Sequence, residues 1–207
     1  MNNELSGTKE HIFDTFVEMT STLGYENVSM REIAQKVGIQ VASIYNHFNT
    51  KADILEYAYD YHSSRQYENR APIDYMKKLI ETESVGEIIK PLIYSYESED
   101  LKKNTRMVLI SKIILMRLYQ DPLAKANFTE GNNNNIEYII EIMRHGVGVG
   151  RVDPGFDIDM FAELLIGAIQ IMTIKAFSYA SPSTDQSEKK DRIIAILSRL
   201  LETALKK

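Results

Sequence analysis

Between positions 40 and 47 the chain carries Gln40, Ser43, Asn46 and His47, four side chains that give and accept hydrogen bonds without a fixed charge. Residues 33–52 contain no carboxylate, and their basic groups are Lys36, His47 and Lys51. Amides and hydroxyls read the hydrogen-bonding edges of base pairs, whereas a carboxylate would be repelled by the flanking phosphates. At 100° per residue, Val41, Ile44 and Phe48 share one side of a helix, with Tyr45 at its edge. Gln40, Ser43, Asn46 and His47 spread over the other side, and the small Ala42 completes it. The apolar side must face a neighbour, so the polar side faces outward. The plain alternative is a solvated face of a small bundle, but such faces usually carry Glu and Lys as well.

The elements that hold this face are legible around it. In "TKEHIFDTFVEMTSTLG", Ile12, Phe13, Phe16, Val17, Thr20 and Leu23 recur at helical steps up to Gly24. Ser29 with Glu32 three residues on forms a capping box, which marks a helix start. Ile33, Ala34 and Val37 form its inner face, and Gly38 ends it, because glycine adopts the left-handed conformation at least cost. The polar-faced helix follows over about Val41–Phe48. Thr50 and Asp53 then open another, with Ile54, Leu55, Ala58, Tyr61 and His62 on one side. Helix, glycine turn and helix make a helix-turn-helix over about residues 29–48, whose second helix enters the major groove.

The net charge of −5 runs against such a partner. It arises in residues 1–60, where Lys9, Arg31, Lys36 and Lys51 face nine acids; residues 61–207 balance 20 basic against 20 acidic groups. The acids nevertheless leave the 33–52 window clear, and the local field governs binding more than the total does. Cysteine is absent, which excludes disulfides and thiolate metal sites. No signal-peptide pattern follows Met1. The most apolar run, "LLIGAIQIMTI" at 164–174, is too short for a span of about 20 residues. The expectation is a cytoplasmic protein without a membrane partner.

Beyond Pro72 the periodicity predicts helices over roughly 74–82, 85–96, 100–128, 134–147, 157–179 and 187–205. "NNNN" (132–135) reads as a loop ending in an N-cap at Asn135. The fold class is all-α: an N-terminal helix-turn-helix domain over 6–66, joined to a larger helical ligand-binding and dimerisation domain over 67–207. The segment 157–179 is apolar almost all round, with Gly167 and Ala168 allowing close approach. The last helix carries a broad apolar stripe that includes Ile193, Leu197, Leu200 and Leu201. A helix apolar on every side needs cover on every side, so this pair is expected to meet its copy across a twofold axis in a four-helix bundle.

"TRMVLISKIILMRLY" (105–119) is too apolar for a surface helix, yet it holds Arg106, Lys112 and Arg117. Methionine lines adaptable pockets, and pockets between bundle helices are mostly apolar with a few polar anchors. A pocket for a largely apolar small molecule is therefore expected from Tyr94, Arg106, Met107, Met116, Tyr119, Met143 and Met172. Against this, each methionine has a plain core reading and each cation can pair with an acid, such as Glu137 or Glu141.

Other chemistries find no support. "GVGVGR" (146–151) does not lie between a strand and a helix, so it is a turn and not a nucleotide cradle. Glu141 and His145 share a helix face, but two ligands close no zinc site. Asp153, Asp157 and Asp159 suit a helix start, where acids favour the dipole. No nucleophile or catalytic acid–base pair stands out, and neither an enzyme nor a cofactor is expected.

"VSMREIAQKVGIQVASIYNHFNTKADIL" resembles the DNA-binding domain of the TetR family of transcriptional regulators. The shared pattern runs from Gly24-Tyr25 through "IA…VG" and Ile44-Tyr45 to Asn46-His47-Phe48 and Lys51, and covers about residues 6–66. The resemblance implies that Gln40, Val41 and Ser43, with Ala42 and Asn46 beside them, approach bases. It also implies that Tyr45, His47 and Lys51 hold phosphates, helped by the capped helix start at Ser29. Val41-Ala42 replaces a common Lys-Gly or Ser-Gly pair, and Asn46 stands where an aromatic is frequent. "GRVDPGFDIDMFAELLIGAI" is similar to the start of the family's dimerisation unit. The implied function is a homodimeric regulator, usually a repressor, that binds a palindromic operator in double-stranded DNA and leaves it on binding a small molecule. A helical-bundle binding protein or enzyme without a DNA role is the competing class.

Overall fold

The computed structural model describes residues 7–68, 70–94, 101–178 and 184–205. The described residues form α1 (Gly7–Leu23), a 3-10 turn (Tyr25–Asn27), α2 (Met30–Val37), α3 (Val41–Ile44), α4 (Lys51–Arg65), α5 (Ile73–Thr82), α6 (Val85–Tyr94), α7 (Leu101–Arg117), α8 (Pro122–Gly148), α9 (Ile158–Ser178) and α10 (Thr184–Ala204). They divide into two units, one of Met1–Tyr67 with Glu99–Thr129, the other of Glu68–Ser98 with Glu130–Lys207.

Two expectations along the chain give way. The helix foreseen over 100–128 is two helices, because Asp121-Pro122 restarts it. Pro122 has no N–H to miss at a first helical position, and Asp121 accepts from the Leu123 N–H at 3.0 Å. The "NNNN" run is no loop: it lies inside the 27 residues of α8. The weak helix preference of asparagine is overridden by the packing of the flanking turns, including Ala124 and Ile139, which are buried.

In the first unit α1 is the floor. Ile12, Phe13, Phe16 and Val17 are each 1% exposed or less, and α2, α4 and α7 all pack on α1. The assignment of residues 99–129 to this unit departs from the expected division at 66/67. Helix α7 is apolar because it covers α1 and α4; Ile110, Ile113 and Ile114 lie in one core with Phe13 and Phe16. Arg106 fastens this cover. Its Nε donates to Asp14 at 2.7 Å, one Nη to Glu10 at 2.9 Å and the other Nη to the Tyr61 hydroxyl at 3.2 Å. Its partners are therefore acids of α1, not Glu137 or Glu141.

A neutral node joins α4, α7 and α8 within the same unit. His62 Nδ1 lies 2.9 Å from Asn127 Oδ1, and the Asn127 amide donates to the Tyr59 carbonyl at 3.0 Å, which orients it. Nδ1 is thus the donor in the neutral ring, and Nε2 lies 3.0 Å from the Ser111 hydroxyl, which itself donates to the Met107 carbonyl at 2.9 Å.

The second unit has a separate core: Met76 and Ile80 of α5, Ile88 and Ile89 of α6, Ile142 and Met143 of α8, and Phe161 and Leu165 of α9. Helix α10 packs on α6 and α9, and inserts Leu197 and Leu201, 6% and 0% exposed. At Gly146 a Cβ would fall 2.6 Å from Val152 and 2.9 Å from Ile80, so only glycine lets those side chains close over α8.

Two predictions follow from the first unit. Arg106→Met should cost about 3 kcal/mol in urea unfolding, because two carboxylates lose this cation; adding Glu10→Gln and Asp14→Asn should recover much of it. Burial holds the His62 pKa below its ordinary 6.5, so its contribution is complete above that value. It is lost as the pH falls through 6.5 toward the lower folded value, because the unfolded chain then binds the proton first. Melting should fall between pH 7.5 and 5.5 more steeply in the natural chain than in His62→Gln.

Candidate functional site

Ser29 caps α2. Its hydroxyl lies 2.6 Å from Glu32 Oε2 and its N–H donates to the same oxygen at 2.8 Å, while the Glu32 N–H donates back to Ser29 Oγ at 3.3 Å. The Glu32 carboxyl sits below its ordinary range because of the Ser29 hydrogen bonds. Ser29 therefore orients α2 through its bonds to Glu32, while remaining exposed at the helix start. Gly38 ends α2 at φ 80°, ψ 29°, a left-handed conformation that strains any residue with a Cβ.

Regular helix in α3 spans only Val41–Ile44, shorter than the expected Val41–Phe48. The next turn tightens: the His47 and Phe48 N–H groups both donate to the Ile44 carbonyl, at 2.8 and 3.0 Å. The sidedness holds. Ile44 and Phe48 are buried, and Val41 packs against the same core. Val41 is thus half-buried, while Gln40, Ala42, Tyr45, Asn46 and His47 are exposed and Ser43 is half-buried. Gln40 is the N-cap residue, yet its side chain makes no capping bond, which leaves the amide uncommitted to its own helix. The surface is a row of amides, a hydroxyl, a phenol and an imidazole, with the small Ala42 between them.

Thr50 and Asp53 cap α4 as expected, the Thr50 hydroxyl 2.6 Å from Asp53 Oδ1. Lys51 departs from the expectation. Its Nζ donates to the Tyr25 and Val28 carbonyls, both at 2.8 Å, and stands 4.0 Å from the Tyr25 ring centre. Arg117 stands 4.3 Å from that centre as well. Lys51 thus pins the 25–28 turn to α4, and a phosphate would share an ammonium that already serves the fold. Arg31, exposed in the first turn of α2, is a cation of this head absent from the expected set.

The expected ligand residues do not converge. Arg106 is engaged by α1. Met107 is half-buried against the first core. Met116 and Tyr119 are 48% and 96% exposed, and Met143 is plain core of the second unit. The side chains of Tyr94 and Met172 lie outside the described residues. A pocket of about 280 Å3, mouth included, lies instead within the second unit, lined by Arg70, Asn135, Tyr138, Leu92, Ile139, Ile166 and Ile169. Arg70 donates to Asn135 Oδ1 and lies 4.6 Å from the centre of the Tyr138 ring. The Tyr138 hydroxyl donates to the Ala71 carbonyl at 2.7 Å, and burial pushes its pKa up to about 12 against the pull of Arg70. Treating 132–135 as a loop hid this site: on one helix, Asn135, Tyr138 and Ile139 fall on a common face.

The residues expected at a dimer face divide between the chain's own core and its surface. Leu197 and Leu201 point into their own core, and Leu200 and Ala168 pack at its edge; the Ile193 side chain lies outside the described residues. Helix α9 instead leaves Met160, Leu164, Ile171 and Ile174 between 47% and 54% exposed, and α10 leaves Ile196 at 64%. Gly167 falls in the same α9 row, with nothing within 4 Å of a Cβ there.

These features define a helix-turn-helix DNA-binding head on a helical body. Residues 12–58 match the family described as bacterial regulatory proteins, tetR family. The HTH-type transcriptional regulator SrpR of Pseudomonas putida is 22% identical over 170 residues, 80% of this chain and 75% of that protein. The ketosteroid transcriptional regulator KstR2 of Mycobacterium tuberculosis shares the fold at a TM-score of 0.64, with 17% identity over 99% of this chain and 98% of that one. So does a SmeT–triclosan complex, at 0.64 and 17% over 98% and 93%. Residues 12–58 thus carry a TetR-family DNA-binding segment, and the chain as a whole shares the fold of these regulators.

Gln40→Ala should weaken the best operator by about 1–3 kcal/mol and leave random DNA nearly untouched. Lys51→Ala should weaken all sequences alike, and should lower the melting temperature as well, since two carbonyls lose their donor. Fluorescence anisotropy on both DNAs, beside thermal melts, separates the roles; equal losses on both DNAs from Gln40→Ala would remove its base-reading role.

Proposed function

We propose that the chain is a ligand-responsive transcriptional repressor that binds a near-palindromic operator as a homodimer. The observation that carries the DNA role is the exposed uncharged face of α3, held between two capped helices. On this reading Gln40, Ala42, Ser43 and Asn46 meet base edges, with Val41 contributing at the helix edge. Tyr45, His47, Lys51 and Arg31 meet the phosphate backbone. Two copies would place their recognition helices about 34–36 Å apart, or a multiple of that. Selecting bound fragments from genomic DNA tests this directly: enrichment of inverted repeats with that spacing supports the reading, and no enrichment overturns it.

The effector would occupy the second unit. A molecule that binds the DNA-incompetent arrangement better shifts the population toward it. SmeT is known in complex with triclosan; in this chain the place to look is the pocket at Arg70.

For assembly, the exposed row Met160, Leu164, Gly167, Ile171 and Ile174 advances in steps of four and three, the spacing of a helix seam. With Ile196 it is the face we assign to the partner copy. Leu164→Glu should yield a folded monomer with lost operator affinity, because Leu164 is half-exposed in the isolated chain. Leu197→Glu should instead unfold the second unit, since it buries an unpaired charge. Sedimentation with circular dichroism distinguishes them; a Leu164→Glu chain that remains a dimer would refute this face.

A further inference from the structure

In its last turn α7 carries Arg117, which reaches across to the start of the helix-turn-helix. The guanidinium stands 4.3 Å from the centre of the Tyr25 ring, one Nη donates to Glu26 at 3.3 Å, and Nε donates to Asp121 at 3.1 Å. Asp121 is fixed by the start of α8, whose Leu123 N–H donates to it at 3.0 Å, and it accepts from the Tyr59 hydroxyl of α4 at 3.0 Å as well. The corner between α7 and α8 thus grips two elements at once. It takes α4 directly, through Tyr59. It takes the 25–28 turn through Arg117, and that turn seats Lys51, whose Nζ donates to the Tyr25 and Val28 carbonyls. Ser29, the cap of α2, is the next residue. Helix α3 lies between α2 and α4 in the chain and rests on the same core, so its pose follows from theirs. All of these residues belong to the first unit. The Arg117 side chain is 15% exposed and bound to two carboxylates, so it is not offered to a phosphate.

Resting on the base-reading role of α3, we infer that Arg117 is a positioning residue for sequence recognition: without meeting DNA, it sets the pose of α3 by referring the start of α2 and the shaft of α4 to one corner. A planar guanidinium suits this task. It stacks on the Tyr25 face and hydrogen-bonds two carboxylates with a fixed fork, which an ammonium does not offer. Phosphate contacts rest on charge and tolerate small shifts of α3, whereas hydrogen bonds to base edges do not. The loss of Arg117 is therefore felt as lost discrimination and not as lost charge.

The test uses the full-length protein on a fragment enriched from genomic DNA and on a random duplex, by fluorescence anisotropy across a salt series, with thermal melts in parallel. Arg117→Met should weaken the enriched fragment about tenfold, the scale of one lost base contact, and the random duplex by less than about twofold. Its salt slope should match that of the natural chain, because no phosphate contact is removed. Arg117→Lys should recover part of the discrimination. Tyr25→Leu should lose it too, and should add little to Arg117→Met, since both act through one turn. Ile113→Val, which trims the core under α7, should lower the melt and leave discrimination unchanged. Equal losses on both DNAs, discrimination intact in Arg117→Met, or the same loss from Ile113→Val each overturn the inference. Should Arg117→Met fail to fold, Glu26→Gln decides. Glu26 is 77% exposed, so its loss leaves the core intact; lowered discrimination sustains the inference, and natural discrimination overturns it. A natural chain that prefers no fragment strikes the base-reading role and this inference with it, whereas a preference that survives Arg117→Met strikes this inference alone.

Discussion

Helix α1 sets the constraint to which the DNA-binding head conforms. Its inner residues, Ile12, Phe13, Phe16 and Val17, are almost wholly removed from water, and at about 1.5–3 kcal/mol for each fully buried large side chain that burial is a main source of the unit's stability. Helices α2 and α4 cover part of this surface, and α3 is only four residues long. Helix α7 supplies the rest, with Ile110, Ile113 and Ile114 in the same core. The head is therefore not closed by its first 66 residues. Its floor is finished by a segment that begins some 35 residues later in the chain, and Arg106 fixes the register of that cover by gripping Glu10 and Asp14 on α1.

The same geometry resolves the conflict between an acidic head and an anionic partner. Most of its acids are consumed in place. Glu10 and Asp14 face Arg106, Glu18 pairs with Lys36 at 3.1 Å, and Glu26 meets Arg117 at 3.3 Å. Glu32 and Asp53 bind the N-terminal backbone groups of α2 and α4, where the helix dipole favours a negative charge. A formal sum counts each as a full repulsive charge, but each faces a cation or an array of N–H groups. The α3 window, empty of acids, lies within that balanced frame. What a phosphate would feel at α3 is set by this pairing more than by the total of −5.

What was legible in the sequence was local. The capping boxes at Ser29 and Thr50, the left-handed Gly38 and the buried Ile44 and Phe48 are each decided by residues within four positions, so pattern alone reaches them. What was not legible depended on partners distant in the chain. The apolar character of α7 announces that the helix is covered but cannot say by what, and a sensor wall and a lid over α1 have the same composition. In α8 the four asparagines argue for a loop on propensity, and the packing of the turns on either side outweighs it. Arg70 and Tyr138 are unremarkable alone; only a continuous α8 sets Asn135 beside Tyr138 and gives Arg70 a face to stack on.

The face proposed for the partner copy is the sharpest case, because periodicity points to the same helices but to another side of them. Helix α10 has apolar residues at 193, 194, 196, 197, 200 and 201, too many for one contact, so it must present two. Sequence cannot rank the two sides by hydrophobicity. Packing does: a stripe that meets α6 and α9 within its own chain is used before any copy arrives. Leu197 and Leu201 are taken by that first demand, and Ile196 is what remains. On α9, Phe161, Ala162, Leu165 and Ile166 turn inward, so Met160, Leu164, Ile171 and Ile174 are left on the outside by exclusion. A residual apolar row with a glycine at its centre is costly to leave in water and suits close approach of a second helix. The face we assign to a second copy thus consists of what the chain's own core leaves uncovered.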